Sequence, residues 1–437
     1  MKRILNIETT KYIGKEVLVK GWVDTVRAHG SIVFLDLRDR TCLLQAVAQG
    51  EIAKALKEED VVELQGEIVK RPAKMQNKDL LTGQVELQVK EIKVLSKAQE
   101  LPFAIKEGMH LTLPVLLDFR PLTLRNEKIK AIFKIEERVI LAFRETLEKL
   151  DFTEVQAPTI VPTATEGGSE VFKIDYYGKP AFLGQSPQLY KQIMVSIFER
   201  VYMLAHAYRA EPSVTTRHLS EYISLDAEMG FIESWEELME TCEETLKNIF
   251  KNIEKSCQKE LAIFKVKTPE IKKIPRLRLK EAQKIILQRC GRDNTNEPDL
   301  SPEDEVEICK WSLETHQSEL VFITHYPTKK RPFYTMPDPK NPEETLSFDV
   351  LYKGLEIITG GQRIHNYEQL LDNLKKWGNN PEDFEIYLQA FKYGMPPEGG
   401  FALGAERIVK QLLNLENLRE ASLFPRDMAR IDKRLSS

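Results

Sequence analysis

Gln188 and Lys191 stand three residues apart directly after Ser186-Pro187, a pair that starts helices. The serine hydroxyl can cap the first turn, and the proline falls where no backbone donor is needed. Leu189, Ile193, Met194 and Ile197 recur at a spacing of about 3.6, so a helix is expected with Gln188 and Lys191 on one face of its first two turns. One amide and one ammonium there suit the carboxylate of a small ligand. From residue 201 the chain reads as a strand, on which Arg209 and Glu211 point to the same side. A polar loop, 212–218, leads to a second strand at 221–229, where Tyr222, Ser224, Asp226 and Glu228 share one face and Ile223, Leu225, Ala227 and Met229 the other. A sheet face over water has little use for an arginine, two acids and an aromatic aimed at one place, so this stretch reads as an active site.

Further candidates lie on either side. Thr165-Glu-Gly-Gly-Ser-Glu170 is a glycine-bearing loop that can close over a ligand, and Glu166 there can meet an ammonium. Asp349 and Glu356 flank the tight turn Lys353-Gly354 and can approach across a hairpin. Two carboxylates beside phosphates hold Mg²⁺, although spacing alone favours a pair of solvated surface acids. Thr359-Gly-Gly-Gln-Arg363 follows. In Gly399-Gly-Phe-Ala-Leu-Gly-Ala-Glu-Arg407 a helix begins near Gly404, and Arg407 falls in its first turn, able to stack on a base or meet a phosphate. No Ser/His/Asp or Cys/His arrangement and no P-loop run is present.

The elements that must position these residues divide the 437-residue chain in two. Five strand-like runs at 16–23, 32–38, 42–48, 61–69 and 85–95, with a short helical pattern at 51–56, give the order of an oligonucleotide-binding barrel over 1–100. On its second run Phe34, Asp36 and Arg38 face away from Val33, Leu35 and Leu37. Phe34 is thus a stacking platform for a base, with Gln45 on the next run to read a base edge, or else it packs under a loop. Residues 101–125 read as a linker, with Leu113-Pro114 taken as stiff punctuation rather than helix. The second domain, 126–437, opens with a long amphipathic helix at 126–150 and carries a Glu-, Lys- and Leu-rich helical layer at about 231–320. A net charge of −4 argues against general nucleic-acid binding without excluding a local patch. Five cysteines without Cys-x-x-Cys spacing imply reduced thiols in a cytoplasmic protein, and no apolar run spans a membrane.

With these residues in view, the sequence resembles the class II aminoacyl-tRNA synthetases, most closely the archaeal-type aspartyl-tRNA synthetases. The likeness rests on Gly21-Trp-Val, Leu117-Asp-Phe-Arg120, Gln185-Ser-Pro-Gln-Leu-Tyr-Lys191, Arg209-Ala-Glu211, Gly360-Gly-Gln-Arg-Ile-His365, Gly404-Ala-Glu-Arg407 and Leu423-Phe-Pro-Arg-Asp427, in that order along the chain. It implies an α+β fold: a five-stranded barrel, then a catalytic domain on an antiparallel sheet with flanking helices, paired as a homodimer through the first long helix. It implies ligation of L-aspartate to tRNA at the cost of ATP with Mg²⁺. In that scheme Arg209 holds the α-phosphate, Glu211 contacts adenine and the tRNA end, and Arg407 stacks on adenine. Arg217, His218, Leu219, Tyr222, Glu356 and Gly404 complete the ATP site, and Asp349 and Glu356 hold the metal. Gln188, Lys191, Arg209, Thr359 and Arg363 bind aspartate, with Asp226 and Glu166 near its ammonium. Phe34, Gln45 and Asp24 face the anticodon. Tyr222 stands where the family usually has Phe, and Glu398 where His is common; Asp24 matches neither residue usual after Gly-Trp-Val. An asparaginyl-tRNA synthetase and a non-catalytic tRNA-binding paralogue share the architecture, and the choice between tRNA-Asp alone and tRNA-Asp with tRNA-Asn stays open.

Overall fold

The strand-like runs of the first hundred residues close on themselves because their inward residues alternate strictly. Val33, Leu35, Leu37, Leu44, Ala46, Val62, Leu64 and Leu87 are all buried, while Phe34, Asp36 and Arg38 are half-buried on the outer face. In the computed structural model, which describes residues 1–106, 108–163, 170–212, 215–433 and 435, these runs are Glu16–His29, Ile32–Arg38, Leu43–Gln49, Val61–Lys70 and Val85–Ser96. They form a closed barrel in the order first, second, third, fifth, fourth, with the short helix Glu51–Lys54 after the third. The chain divides into two compact units, Met1–Ala104 and Ile105–Ser437.

The second unit is built on an eight-stranded sheet, in spatial order Arg276–Arg278, Leu320–Thr324, Ser347–Tyr352, Leu355–Gln362, Glu398–Gly404, Glu221–Gly230, Arg200–Tyr208 and Thr153–Glu154. The six central strands are antiparallel, as expected, but each edge strand pairs in parallel, so the sheet is mixed. Helix Glu127–Lys149 is capped by Asn126, whose side chain accepts from the amides of Lys128 and Ile129. Its apolar stripe Ile132, Ile135, Val139, Phe143 and Leu147 packs with helices Glu236–Ser256 and Ala405–Leu413 in one core with the sheet. The hairpin between Ser347–Tyr352 and Leu355–Gln362 turns on Lys353 (φ 48°) and Gly354 (φ 85°), the two positive angles that a two-residue turn between twisted strands requires.

Three local expectations change. Leu113-Pro114 does not interrupt a linker: Leu113–Asp118 is a helix with its proline in the first turn, where the missing donor costs nothing. Helix Gln188–Phe198 starts one residue after Pro187 without a side-chain cap, and Ser186 Oγ accepts from the Gln188 amide instead. On that helix Ile197 is exposed, whereas Gln188, Lys191, Gln192 and Val195 are buried. Leu189 and Val195 join an apolar core against which Ile193 and Met194 pack, while Gln188, Lys191 and Gln192 are buried beside that stripe against polar partners.

Candidate active site

Glu221–Gly230 lies between Arg200–Tyr208 and Glu398–Gly404, so the polar face read from its sequence opens into the centre of the sheet. Above that face is a cavity of about 830 Å³ lined by eight lysine and arginine side chains against five acids. It brings together Gln188, Lys191, Asp226, Thr359 and Arg363 at one end of the candidate set, and Arg209, Glu211, Arg217, His218, Leu219, Tyr222, Glu356, Gly404 and Arg407 in the same space. Glu166 lies outside the described residues.

The floor is a lattice of alternating charge. Lys191 Nζ is 2.9 Å from Asp226 Oδ1 and 3.0 Å from Glu228 Oε2, and Arg363 Nε donates to Glu228 Oε1 at 2.7 Å. Gln188 contributes Oε1 to Arg363 Nη2 at 3.4 Å, and Ser224 Oγ donates to Asp226. Lys191 is 1% exposed and Glu228 fully buried. Burial by itself would lower the Lys191 pKa, but Asp226 and Glu228 outweigh it and the net shift is upward. Burial would likewise raise Glu228, and the cations Arg363 and Lys191 outweigh it and hold the carboxyl low. Both groups are therefore charged in the fold. Gly400 makes the lattice possible: a Cβ there would overlap the Glu228 carboxylate, and its carbonyl accepts from Arg363 Nη2 at 3.2 Å.

The other end is cationic and open. Strand Arg200–Tyr208 ends before Arg209, so Arg209 and Glu211 do not share a strand face as expected. The Arg209 amide still donates to the Ser220 carbonyl, and its guanidinium lies 5.6 Å over the Tyr222 ring. Arg407, in the first turn of helix Ala405–Leu413, donates Nη1 to the Glu356 carbonyl at 2.9 Å. Burial and then the Arg407 charge push His218 below its ordinary pKa, which keeps the ring neutral beside Thr215. Asp349 pairs with Thr359 and Glu356 with Leu351 across a bulge, so the two acids sit diagonally instead of opposite one another. Asp349 Oδ2 accepts from Arg331 Nη2 at 2.7 Å, while its Oδ1 is buried without a hydrogen-bond partner among the described residues. Burial and the Asp349 charge push Glu356 upward. An orphaned carboxylate oxygen beside a second acid is the donor set a hydrated divalent cation fits.

Arg331, Glu228 and Glu398 were given no role in binding or catalysis from the sequence. Glu228 had a signal, the period of two that it shares with Asp226. Arg331 had none, since it lies in a run that reads as aromatic and β-branched. In the barrel, Phe34 meets His29 edge-on at 5.9 Å between ring centroids, and Gln45 Nε2 donates to Glu86 at 3.0 Å. Asp24 is not a solvated acid: Arg38, itself paired with Glu59, donates to it at 2.7 Å.

Known proteins resemble this chain in sequence and in fold. Residues 113–428 match the family "tRNA synthetases class II (D, K and N)", and residues 17–95 match "OB-fold nucleic acid binding domain". The chain belongs to the class II tRNA synthetases. The synthetase is 43% identical over 98% of its length to an aspartate–tRNA(Asp/Asn) ligase of Thermus thermophilus, covering 99% of that chain. It is 40% identical to an aspartate–tRNA(Asp) ligase of Pyrococcus abyssi, over 97% of each. Among solved structures, an asparaginyl-tRNA synthetase of Pyrococcus horikoshii complexed with asparaginyl-adenylate superposes with a TM-score of 0.89 at 33% identity over 99% of both chains. No helix among the described residues is long and apolar enough to cross a membrane.

Proposed function

We propose that this synthetase is an aspartate–tRNA ligase that activates L-aspartate with ATP and passes the aspartyl group to the 3′ end of tRNA-Asp. The observation that carries the reading is the buried floor of the cleft. Lys191 has three donors, two of them turned to Asp226 and Glu228, which leaves one for a ligand carboxylate beside Arg363. A neutral amide in that place leaves a desolvated cation short of its partner, a loss of roughly 2–5 kcal/mol. The aspartate named in the two relatives supports the same choice.

In this reading Gln188, Lys191, Thr359 and Arg363 orient aspartate, with Asp226 and Glu166 at its ammonium. An oxygen of its α-carboxylate attacks the α-phosphorus of ATP and pyrophosphate leaves. Arg209 neutralises the charge that grows on the phosphate oxygens, and Arg217 and neutral His218 bind toward the other phosphates. Tyr222 and Arg407 clasp the adenine, with Leu219 and Gly404 shaping the pocket and Glu211 at the adenine edge. Asp349 and Glu356 would hold Mg²⁺, which when bound offsets phosphate charge. The terminal ribose hydroxyl of tRNA then attacks the adenylate carbonyl, with AMP leaving. Phe34, Gln45 and Asp24 are the barrel residues we assign to the anticodon. We read the working form as a cytoplasmic homodimer, a compartment suited to its five free cysteines.

The test is exchange of labelled pyrophosphate into ATP. It should need aspartate and Mg²⁺ and proceed without tRNA. Exchange supported equally by asparagine would refute the substrate assignment.

A further inference from the structure

Glu398 opens strand Glu398–Gly404 directly behind the amino-acid end of the cleft and is fully buried. Its Oε1 accepts from Gln192 Nε2 at 2.7 Å, and the amide is fixed that way round because Gln192 Oε1 accepts from Tyr387 at 3.2 Å. Its carbonyl accepts from the Arg363 amide at 2.9 Å. No lysine, arginine or histidine among the described residues forms an ion pair with it. An unpaired charge in such a place is among the least favourable states a side chain can adopt.

Across the two strands Glu228 pairs with Gly400 and Gly230 with Glu398, so the side chains of Glu228 and Glu398 are diagonal neighbours on one face of the sheet. Oε2 of Glu398 and Oε2 of Glu228 are both buried without a hydrogen bond of good geometry. Two ionised carboxylates are acceptors only and cannot satisfy each other, but one proton between them satisfies both. Glu228 is the member fixed as an anion, since Arg363 and Lys191 both hold it. The proton therefore belongs on Glu398. The groups facing this pair are Lys191 and Gln192 from helix Gln188–Phe198, Asp226 from Glu221–Gly230, Arg363, Tyr387, and Tyr334 beneath the Arg363 guanidinium. With Glu398 neutral, two cations balance two anions across the floor.

We propose that Glu398 is a specificity-determining positioning residue: it donates a proton in a hydrogen bond to Glu228, holds Glu228 on Lys191 and Arg363, and keeps the floor of the amino-acid pocket free of net charge. Burial, and then the Glu228 charge, push its carboxyl well above the ordinary range. Loss of that proton at alkaline pH gives the floor a net negative charge facing the incoming carboxylate and loosens Glu228 from its cations. The consequence for aspartate rests on the function proposed above; the proton itself does not.

Two measurements test it. The infrared difference spectrum of wild type minus Glu398→Gln at neutral pH should show the carbonyl band of one buried protonated carboxyl, while the band of protonated Glu406 is common to both proteins and cancels. In the exchange assay, the wild-type KM for aspartate should rise at alkaline pH while the KM for ATP holds. Glu398→Gln keeps a neutral donor and should rescue the neutral-pH KM while abolishing the alkaline rise. Glu398→Met should raise the aspartate KM by about tenfold or more at neutral pH, the worth of a hydrogen bond to a charged group. A wild-type minus Glu398→Gln difference spectrum without a protonated-carboxyl band, or an unchanged aspartate KM in Glu398→Met, overturns the proposal. A wild-type enzyme that activates asparagine and not aspartate overturns the function reading alone, and the infrared comparison still decides where the proton sits.

Discussion

Replacing Lys191 by Met separates two roles that the structure assigns to one ammonium. In the fold, Lys191 neutralises Asp226 and Glu228 from inside a site where both partners are about as buried as it is. Removing it leaves two anions against the single cation Arg363, and breaking a buried pair in this way costs about 3–5 kcal/mol of stability. In the reaction, the same change removes the partner of the substrate carboxylate, roughly 2–5 kcal/mol, or about thirtyfold to several thousandfold in kcat/KM for aspartate. The two losses come apart in the double variant Lys191→Met with Asp226→Asn, which restores one cation against one anion. It should regain most of the stability in urea denaturation without regaining aspartate activation. The KM for ATP should stay near wild type in the single variant, because the cationic end formed by Arg209, Arg217 and Arg407 is untouched. An unchanged aspartate KM in Lys191→Met refutes the substrate role, and a single variant as stable as wild type refutes the lattice argument.

Phe34→Ala should weaken tRNA charging by about 1–3 kcal/mol if an anticodon base stacks there. Pyrophosphate exchange should be unaffected, and equal loss of both activities would make Phe34 a packing residue. Asp24→Ala should relax a preference for tRNA-Asp over tRNA-Asn, since a carboxylate accepts from a cytosine amino group and uracil offers an acceptor there, a contact worth about 1–3 kcal/mol. Because Arg38 holds Asp24, the variant also frees a guanidinium, so charging of both transcripts should be compared with Arg38→Ala. Stability should fall as pH rises through a buried acid. Glu406 binds its proton in the fold with a pKa pushed by burial from 4.5 to about 8, so between those values the folded state holds more protons than the unfolded one. The contribution is intact below about pH 4.5 and is lost by about pH 8, on the order of a few kcal/mol. Glu406→Gln can still accept from the Ile223 amide and should lessen the fall in urea-denaturation stability between pH 5 and 9; parallel curves for the two proteins would refute the assignment.

Wherever a single periodicity decides structure, the chain was legible as a sequence. The barrel strands follow from strict alternation around Val33, Leu35 and Leu37, and helix Glu127–Lys149 from its 3.6-residue stripe. The polar face of Glu221–Gly230 announced a site because burying Ser224, Asp226 and Glu228 demands partners. The partners themselves were not legible, since they arrive from distant segments. Lys191, Arg363 and Gly400 meet Glu228 only because strands 221–230 and 398–404 pair in one register, and a shift by one residue would turn the carboxylate to the other face. The apolar spacing of helix Gln188–Phe198 placed Leu189, Ile193 and Met194 on a core and misplaced Ile197, which is exposed, because periodicity reports which residues share a face and not how far along the helix that core extends. Nothing local to Asp24 named its partner, and the barrel brings Arg38 against it. Local sequence set which side chains share a face; long-range pairing set which charges face one another, and the charge state of Lys191, Glu228 and Glu398 depends on that second decision, because burial penalises a lone charge and only a neighbour from elsewhere in the chain can relieve it.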